Sequence, residues 1–335
     1  MNIRQRFFHT FLLVALCGLA TSAQASWPIT AGGQFVDAAV DIEVGPSGSV
    51  YVTGKFSGIG TFADLNLNSA GLDDVFIAKL SPGGSVLWVQ TGGGESSDVP
   101  ADLALDESEN VYVVGRFFRE ANFGGVNLGS GDDNADGFVV KLSSGGDWDW
   151  ARSFGGTGND FATAVDVIPG SGSGFDFTPA SVMVGGSYQC SASYAGGTIN
   201  SSSFPSSCTP ETRDLFIGHL STNGTWEYVI DGDNTARRVE QIDSLVATPD
   251  GKVYIAGQRS TVGWVELAAM DGPANTLTNM VSGGGLAGGT GRARYPGSSG
   301  SFYWFTRYGA TDYYMPSTIS NGGDFARGEA TLVAY

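Results

Sequence analysis

Aspartates recur along the chain at a spacing of about 60 residues, and their carboxylates are candidates for chemistry. Asp41, Asp102 and Asp166 each fall in an apolar segment that opens a repeated unit. Carboxylates that converge could act as general acid and base or could bind a cation. Short acidic side chains can instead accept hydrogen bonds from neighbouring backbone N–H groups. We predict this structural role for all three and keep a ring of cation-binding carboxylates as the alternative.

A second acidic segment has the ligand spacing of a calcium loop. Asp132, Asn134 and Asp136 place side-chain oxygens at alternate positions, as calcium-binding loops do. The twelfth position of such a loop is normally Glu, whereas here it is Ser143. Asp136 also has the place that Asp74 has in the preceding unit. We therefore predict an ordinary acidic turn, with calcium as the one cofactor that the sequence leaves open.

Histidine is almost absent, which excludes several kinds of catalytic site. His9 lies in an N-terminal leader, and His219 stands where earlier units have Lys79 and Lys141. A zinc site with several histidines is excluded by this inventory. A Ser-His-Asp triad would depend on His219, and no nucleophile motif lies near it. We predict no catalytic residue, and any catalysis would depend on carboxylates.

The first 25 residues have the pattern of a secretory signal peptide. Arg4 and Arg6 give a basic start, an apolar run follows over 11–20, and a small-x-small cleavage site ends at Ala25. This run is too short for a permanent membrane anchor, and no later run is long enough. We expect a secreted protein, periplasmic or extracellular. A lipidated Cys17 is the weaker alternative.

Cysteine content and charge limit the partners of the exported chain. Cys190 and Cys208 remain after removal of 1–25, and in an exported protein they most simply form a disulfide across a serine-rich loop. The formal net charge is −17, and the leader carries two of the positive charges. Such an acidic protein repels phosphate backbones, so we predict no nucleic-acid partner. The charge favours solubility, and we expect a monomer.

Internal repetition indicates the fold class. Each unit of about 60 residues has an apolar first strand, a strand ending in Gly, a strand opening with Asp and a strand opening with Trp. The strands ending in Gly span 50–54, 111–115, 182–185 and 253–257, and the opening tryptophans are Trp27, Trp88, Trp150 and Trp226. Alternation along each strand gives the sheet two apolar faces. One sheet cannot bury both faces alone, so copies must stack.

A ring of stacked, four-stranded antiparallel sheets is a β-propeller. We predict an all-β, five-bladed propeller as a single domain over 26–335, with first strands lining a central channel. The blade units span about 36–94, 98–156, 160–232, 236–285 and 286–335. The mature chain begins with a Trp strand that has no unit before it, and its last unit lacks one. We therefore predict that 26–33 complete the last blade and close the ring, which removes an exposed edge.

The repeat resembles the β-propeller repeat of secreted bacterial proteins, often called the SBBP type. The resemblance rests on a Gly-x-Val-Tyr-Val-x-Gly strand, an Asp-x-Phe-Val-x-Lys-Leu strand, and a Trp strand ending in Gly-Gly. It is close over 36–94 and 98–156, moderate over 160–232 and poor beyond. The resemblance implies the propeller fold and an extracytoplasmic binding or scaffold role. It implies no catalytic residue set.

The predicted function is a secreted, non-enzymatic module whose rim loops recognise a protein or a glycan. The Cys190 to Cys208 loop and the aromatic last unit are the expected contact surfaces. The alternative is a carbohydrate-active hydrolase with carboxylates at the channel mouth. That alternative requires an acid pair, among Asp41, Asp102 and Asp166, that projects into a deep pocket without backbone partners. A lectin with one sugar site per blade is disfavoured, because the last two units have diverged.

Overall fold

The computed structural model describes residues 29–171, 179–200, 213–231, 240–249, 253–259, 265–270, 277–283, 291–294, 301–308 and 311–318. In these ranges the chain forms β-strands and no helix, so the all-β class is confirmed. The pairings between the described strands are antiparallel, as predicted. No helix in these ranges could cross a membrane.

The strands follow one another along the chain as a series of sheets. Sheet one contains β1 (Ala31–Gly33), β2 (Ala38–Val44), β3 (Val50–Phe62), β4 (Leu65–Leu80) and β5 (Val86–Gly92). Sheet two contains β6 (Val99–Leu105) and β7 (Val111–Phe118), then, after the separate hairpin of β8 (Glu120–Phe123) and β9 (Val126–Gly129), β10 (Ala135–Leu142) and β11 (Trp148–Thr157).

The later sheets continue this order. Sheet three contains β12 (Phe161–Ile168), β13 (Ser181–Tyr188), β16 (Asp214–Ser221) and β17 (Trp226–Asp231). The hairpin of β14 (Ser191–Tyr194) and β15 (Gly197–Asn200) follows β13 in sequence but pairs with β11, at the edge of sheet two. Sheet four contains β18 (Glu240–Ala247), β19 (Val253–Arg259), β20 (Val265–Met270) and β21 (Leu277–Gly283). Sheet five contains β22 (Gly291–Arg294), β23 (Ser301–Tyr308) and β24 (Thr311–Thr318).

Consecutive sheets contact each other through their first strands. β2 contacts β6, β6 contacts β12, β12 contacts β18, and β18 contacts β22. The apolar clusters accordingly lie between sheets. On β10, Phe138, Val140 and Leu142 pack toward sheet one, whereas the intervening Val139 packs toward sheet three. Alternation along the strand thus supplies apolar side chains to both neighbours, and the core is divided into inter-sheet layers.

Tryptophans of the outer strands reach the turns of the next sheet. The Nε1 atoms of Trp88 and Trp150 donate to backbone carbonyls of those turns at 3.2 and 3.0 Å. Each indole also lies on a turn glycine, Gly146 or Gly224, whose φ is 92° or 81°. A left-handed glycine without a Cβ leaves room for the ring. The recurring Trp and Gly are therefore two halves of one contact between sheets.

The N-terminal strand pairs differently from what the sequence predicted. Ala31–Gly33 pairs with Gly60–Phe62 of β3, in sheet one, rather than with the last unit. The Gly-Gly end of β11 makes the same contact with the next unit, where Gly155–Thr157 pair with Ser191–Ser193. β1 therefore has the position of an outer-strand end that precedes sheet one. Residues 26–28 and 319–335 lie outside the described residues, and no closed ring is observed among the described ones.

Candidate functional site

The axial aspartates, Asp41, Asp102 and Asp166, lie on first strands and hydrogen bond to the next sheet. Leu103 N donates to Asp41 at 3.1 Å, Val165 N to Asp102 at 2.9 Å, and Ala247 N to Asp166 at 2.7 Å. Asp166 also accepts Val167 N at 2.8 Å. Each carboxylate thus satisfies a backbone donor across an inter-sheet boundary, which is the structural role predicted for it.

The three axial aspartates are not fully equivalent in register. A β-bulge precedes Asp41 and Asp102, which then pair with Thr53 and Val114. In β12 the residue after the corresponding bulge is Ala164, and Asp166 comes two positions later. An offset of two residues keeps a side chain on the same face of a strand, so Asp166 still reaches the next sheet. Sequence spacing alone placed Asp166 at the position that Ala164 holds.

A cavity of about 350 Å³ lies between the first strands. Its acidic lining residues are Asp41, Glu43, Asp102, Asp166 and Asp243, and the lining contains no lysine, arginine or histidine among the described residues. Burial raises the pKa of Asp166 to about 6. Burial, then the charge of Asp41 and a hydrogen bond with it, raise the pKa of Asp102 well above its usual value. Protonation therefore offsets part of the negative charge at this cavity.

A second set of aspartates, which the sequence analysis missed, caps the turns that lead from one sheet to the next. Asp98 accepts Gly94 N at 2.6 Å and Phe118 N at 3.4 Å. Asp160 accepts Gly156 N at 2.8 Å and Gln189 N at 2.8 Å. The sequence signal for these aspartates was an Asp four residues after the second glycine of each Gly-Gly pair. Each of these aspartates thereby fixes the turn and its neighbouring hairpin together.

The turn after β1 repeats this arrangement. Asp37 accepts Gly33 N at 2.5 Å and Ser57 N at 3.1 Å. The same donor positions are used around Asp98 and Asp160, so the turn before sheet one is built like the two turns that connect complete sheets. This similarity supports the placement of β1 as the end of an outer strand.

Two buried acid pairs lie beside these turns. We call Asp74 with Asp98, and Asp136 with Asp160, the junction pairs. Asp74 Oδ1 and Asp98 Oδ2 would lie 2.6 and 2.8 Å from a Cβ placed on Gly93. Burial raises the pKa of Asp74 to about 6 and that of Asp98 to about 7. Burial, followed by the charge of Asp160, raises the pKa of Asp136 to about 8, and burial raises that of Asp160 to about 7.

The predicted acidic turn does not gather a set of calcium ligands. Asp132 accepts hydrogen bonds from Asn134 N at 2.7 Å and from Asn134 Nδ2 at 3.0 Å, so both of its oxygens are used within the turn. Asp136 points into its junction pair instead. Across the described ranges, no three His, Cys, Asp or Glu side chains are grouped so that they could hold a metal ion.

The remaining candidates lie apart from the cavity. His219 faces Met183 across the sheet, as Lys79 faces Tyr51, so it holds the predicted lysine position. Cys190 is buried beside β14, and Cys208 lies outside the described residues, so the disulfide stays a prediction.

The chain was compared with protein-family models and with curated proteins, and neither comparison found a match.

Proposed function

We propose that the protein is an exported, non-enzymatic binding or scaffold module whose loops recognise a protein or a glycan. The single observation that carries the proposal is the use of the axial aspartates as acceptors for Leu103 N, Val165 N and Ala247 N. An acid committed to a backbone donor of the next strand is not available to a substrate in the way that a hydrolase requires. The recurring acids are therefore assigned to architecture.

We also propose the finer architecture, a five-bladed propeller of the SBBP type whose ring is closed by the N-terminal residues that precede β1. Successive sheets that contact through first strands support it, as does the turn at Asp37, which matches those at Asp98 and Asp160. Sheet five has three described strands where sheets three and four have four, and the proposed fourth strand comes from the N-terminal segment.

A carbohydrate-active hydrolase is the second candidate, and one observation favours it. Asp102 lines the cavity, and its pKa is raised by burial and by the neighbouring Asp41, as expected of a general acid. However, Asp41 and Asp102 hydrogen bond directly to each other. Glycosidase carboxylates stand about 5–5.5 Å or about 6.5–9.5 Å apart to leave room for the sugar or a water. The direct contact therefore favours the non-enzymatic assignment.

The test combines binding and turnover on the same polysaccharides. Mature protein, residues 26–335, is applied to an array of bacterial and plant polysaccharides, and reducing ends are measured in parallel. We expect binding without release of reducing ends, and binding retained in Asp102→Asn. A variant with glycine and serine in place of 201–207 should lose binding if that loop carries recognition. Release of reducing ends that Asp102→Asn abolishes would contradict the proposal and establish the hydrolase.

A further inference from the structure

The junction pairs sit where the outer strand of one sheet turns into the first strand of the next. Asp98 N donates to Asp73 O at 2.7 Å, and Asp160 N donates to Ala135 O at 2.7 Å. The turn aspartate is thereby fixed beside the strand that carries its partner. Asp98 and Asp160 are fully buried, and Asp74 and Asp136 are 4% exposed. Water cannot screen the two carboxyls of a pair from each other.

Backbone donors satisfy only part of each pair. Asp74 accepts Ala70 N at 2.8 Å through Oδ2, whereas its Oδ1 has no hydrogen-bond partner. Asp136 Oδ1 has none either. An ionised oxygen buried without a donor is costly, whereas a protonated carboxyl carries no charge. Burial and mutual repulsion therefore favour one proton on each pair over two ionised carboxyls, and the two acids of a pair titrate together.

Nearby charges do not neutralise the first pair. Asp73 adds a further carboxylate beside Asp74 and Asp98. Lys55 is the cation on that side, and it is bound to Asp73 at 2.9 Å. Burial acts to raise the pKa of Asp73, but hydrogen bonds from Ser57, Lys55 and Ser97 outweigh it and lower the pKa. Asp73 therefore stays charged and disfavours ionisation of the pair.

The second pair faces a mixed environment. Asp132 repels both of its carboxylates, and Arg213 attracts Asp160. Burial lowers the pKa of Arg213, and Arg116 stands behind it as a second cation. The guanidinium of Arg213 lies 4.3 Å from the Phe161 ring, so much of its contact is with an aromatic face. Arg213 therefore attracts Asp160 and leaves the repulsion between Asp132 and Asp136 in place.

We propose that the junction pairs are proton-closed clasps between consecutive sheets. With one proton on each pair, the backbone hydrogen bonds of its aspartates hold the end of an outer strand against the next sheet. Loss of that proton leaves two like charges in a buried site and loosens the junction. The folded protein would therefore be most stable in mildly acidic solution and less stable in alkaline solution. This inference does not depend on what the loops bind.

The sign of the pH dependence follows from the raised pKa values. A carboxyl whose folded-state pKa is raised contributes stability that is complete below the usual aspartate pKa and is lost as the pH rises through the folded value. For the two pairs that loss begins near pH 4, where the unfolded aspartates ionise, and is complete by about pH 8. The axial Asp166 titrates in the same window, so a variant is needed to isolate the clasps.

The experiment compares thermal unfolding of mature Asp136→Asn with that of Asp133→Asn at pH 5 and pH 9. The amide imitates the protonated acid, whereas the Asp133 side chain is 82% exposed and serves as the matched control. We expect Tm of Asp133→Asn to fall by about 5 °C between the two pH values, as in the natural protein, and Tm of Asp136→Asn to fall by about half as much. Equal falls in Tm between pH 5 and pH 9 in the two variants would overturn the proposal.

A local readout accompanies the melting curves. Gly156 N and Gln189 N donate to Asp160, so their hydrogen exchange reports the second junction. After correction for intrinsic rates, we expect exchange to rise about tenfold from pH 6 to pH 8.5 in the natural protein and to stay level in Asp136→Asn. Unchanged exchange in the natural protein would contradict the proposal. If Asp136→Asn does not fold, Asp74→Asn applies the same test to the first pair.

Discussion

Asp166, on a first strand, and Asp74 and Asp136, in the junction pairs, are acids of the repeated units that differ in what their oxygens contact. Asp166 accepts a backbone N–H on each oxygen. Asp74 and Asp136 each keep one oxygen without a donor and face a second carboxyl instead. Two backbone donors at Asp166 oppose the rise in pKa that burial causes, whereas at Asp136 the charge of a second carboxyl adds to it. Residue type and recurrence are alike, whereas Asp166 is only partly buried and Asp74 and Asp136 are 4% exposed, so hydrogen-bond partners and burial together assign the role.

This difference separates two ways of joining sheets with the same side chain. Asp166 stabilises its boundary through hydrogen bonds from two backbone N–H groups, one of which, Ala247 N, belongs to the next sheet. A junction pair stabilises its boundary only while it holds a proton. Substitutions at the two kinds of site should therefore change stability in different ways.

The largest loss of stability is expected for a side chain added at Gly155, where the Asp136 carboxyl leaves no space for a Cβ. A Cβ on Gly155 would overlap the Asp136 carboxyl, whereas a Cβ on Gly145 would meet only Ser143 Oγ at 3.5 Å and Asp147 Oδ2 at 3.8 Å. We expect Gly155→Ala to lower the free energy of unfolding by about 3 kcal/mol and Gly145→Ala by less than about 1 kcal/mol. Urea denaturation measures both.

A double variant shows whether the cost of Gly155→Ala comes from the pair. Combining it with Asp136→Ala removes the carboxyl that the new methyl group meets, so the two effects should not add. We expect the double variant to be more stable than the sum of the single effects implies, by about 1 kcal/mol or more. Strict additivity would show that Gly155 is constrained by something other than Asp136.

The smallest effect is expected at an acid whose pKa moves the opposite way. Glu109 accepts Ser47 N at 2.6 Å, Tyr51 Oη at 2.9 Å and Lys79 Nζ at 3.2 Å. Burial acts to raise its pKa, but these hydrogen bonds, together with one from the Ser47 hydroxyl, lower it to about 2. Its contribution is therefore present above the usual glutamate pKa and is lost as the pH falls toward 2.

We accordingly expect Glu109→Gln to lower the free energy of unfolding by about 1 kcal/mol at pH 7 and by almost nothing near pH 2. Glu107→Gln, on an exposed neighbour in the same turn, is the matched control and should change neither value. A Glu109→Gln effect that grew as the pH fell would contradict this account. Together with the clasps, Glu109 places the stability maximum in mildly acidic solution.

The sheets were predictable from the sequence, because apolar alternation and turn glycines act locally. Thr53 and Val114 lie in strands whose alternation of apolar residues is visible in the sequence. The contact of Trp150 with Gly224 explains why a tryptophan and a turn glycine recur in the units. The offset of Asp166 was not predictable. It depends on where a bulge falls in β12, and a bulge shifts register without a strong local signal.

The junction pairs were missed for a different reason. The glycine and aspartate that flank each turn are four residues apart and could have been noticed. The partner acids come from another strand, Asp74 in β4 and Asp136 in β10, and only the folded chain brings each beside Asp98 or Asp160. Long-range proximity of this kind is set by the stacking of sheets and is absent from local sequence.

Thermal unfolding of Asp166→Asn and Asp136→Asn, both at pH 8, tests most directly whether hydrogen-bond partners assign the roles of these acids. At Asp166 an amide can accept only one of the two N–H groups, so we expect Tm to fall by about 3 °C. At Asp136 the amide replaces a carboxyl that the raised pKa leaves half-ionised at that pH, so we expect Tm to rise by about 2 °C. Shifts of the same sign in both variants would contradict the account.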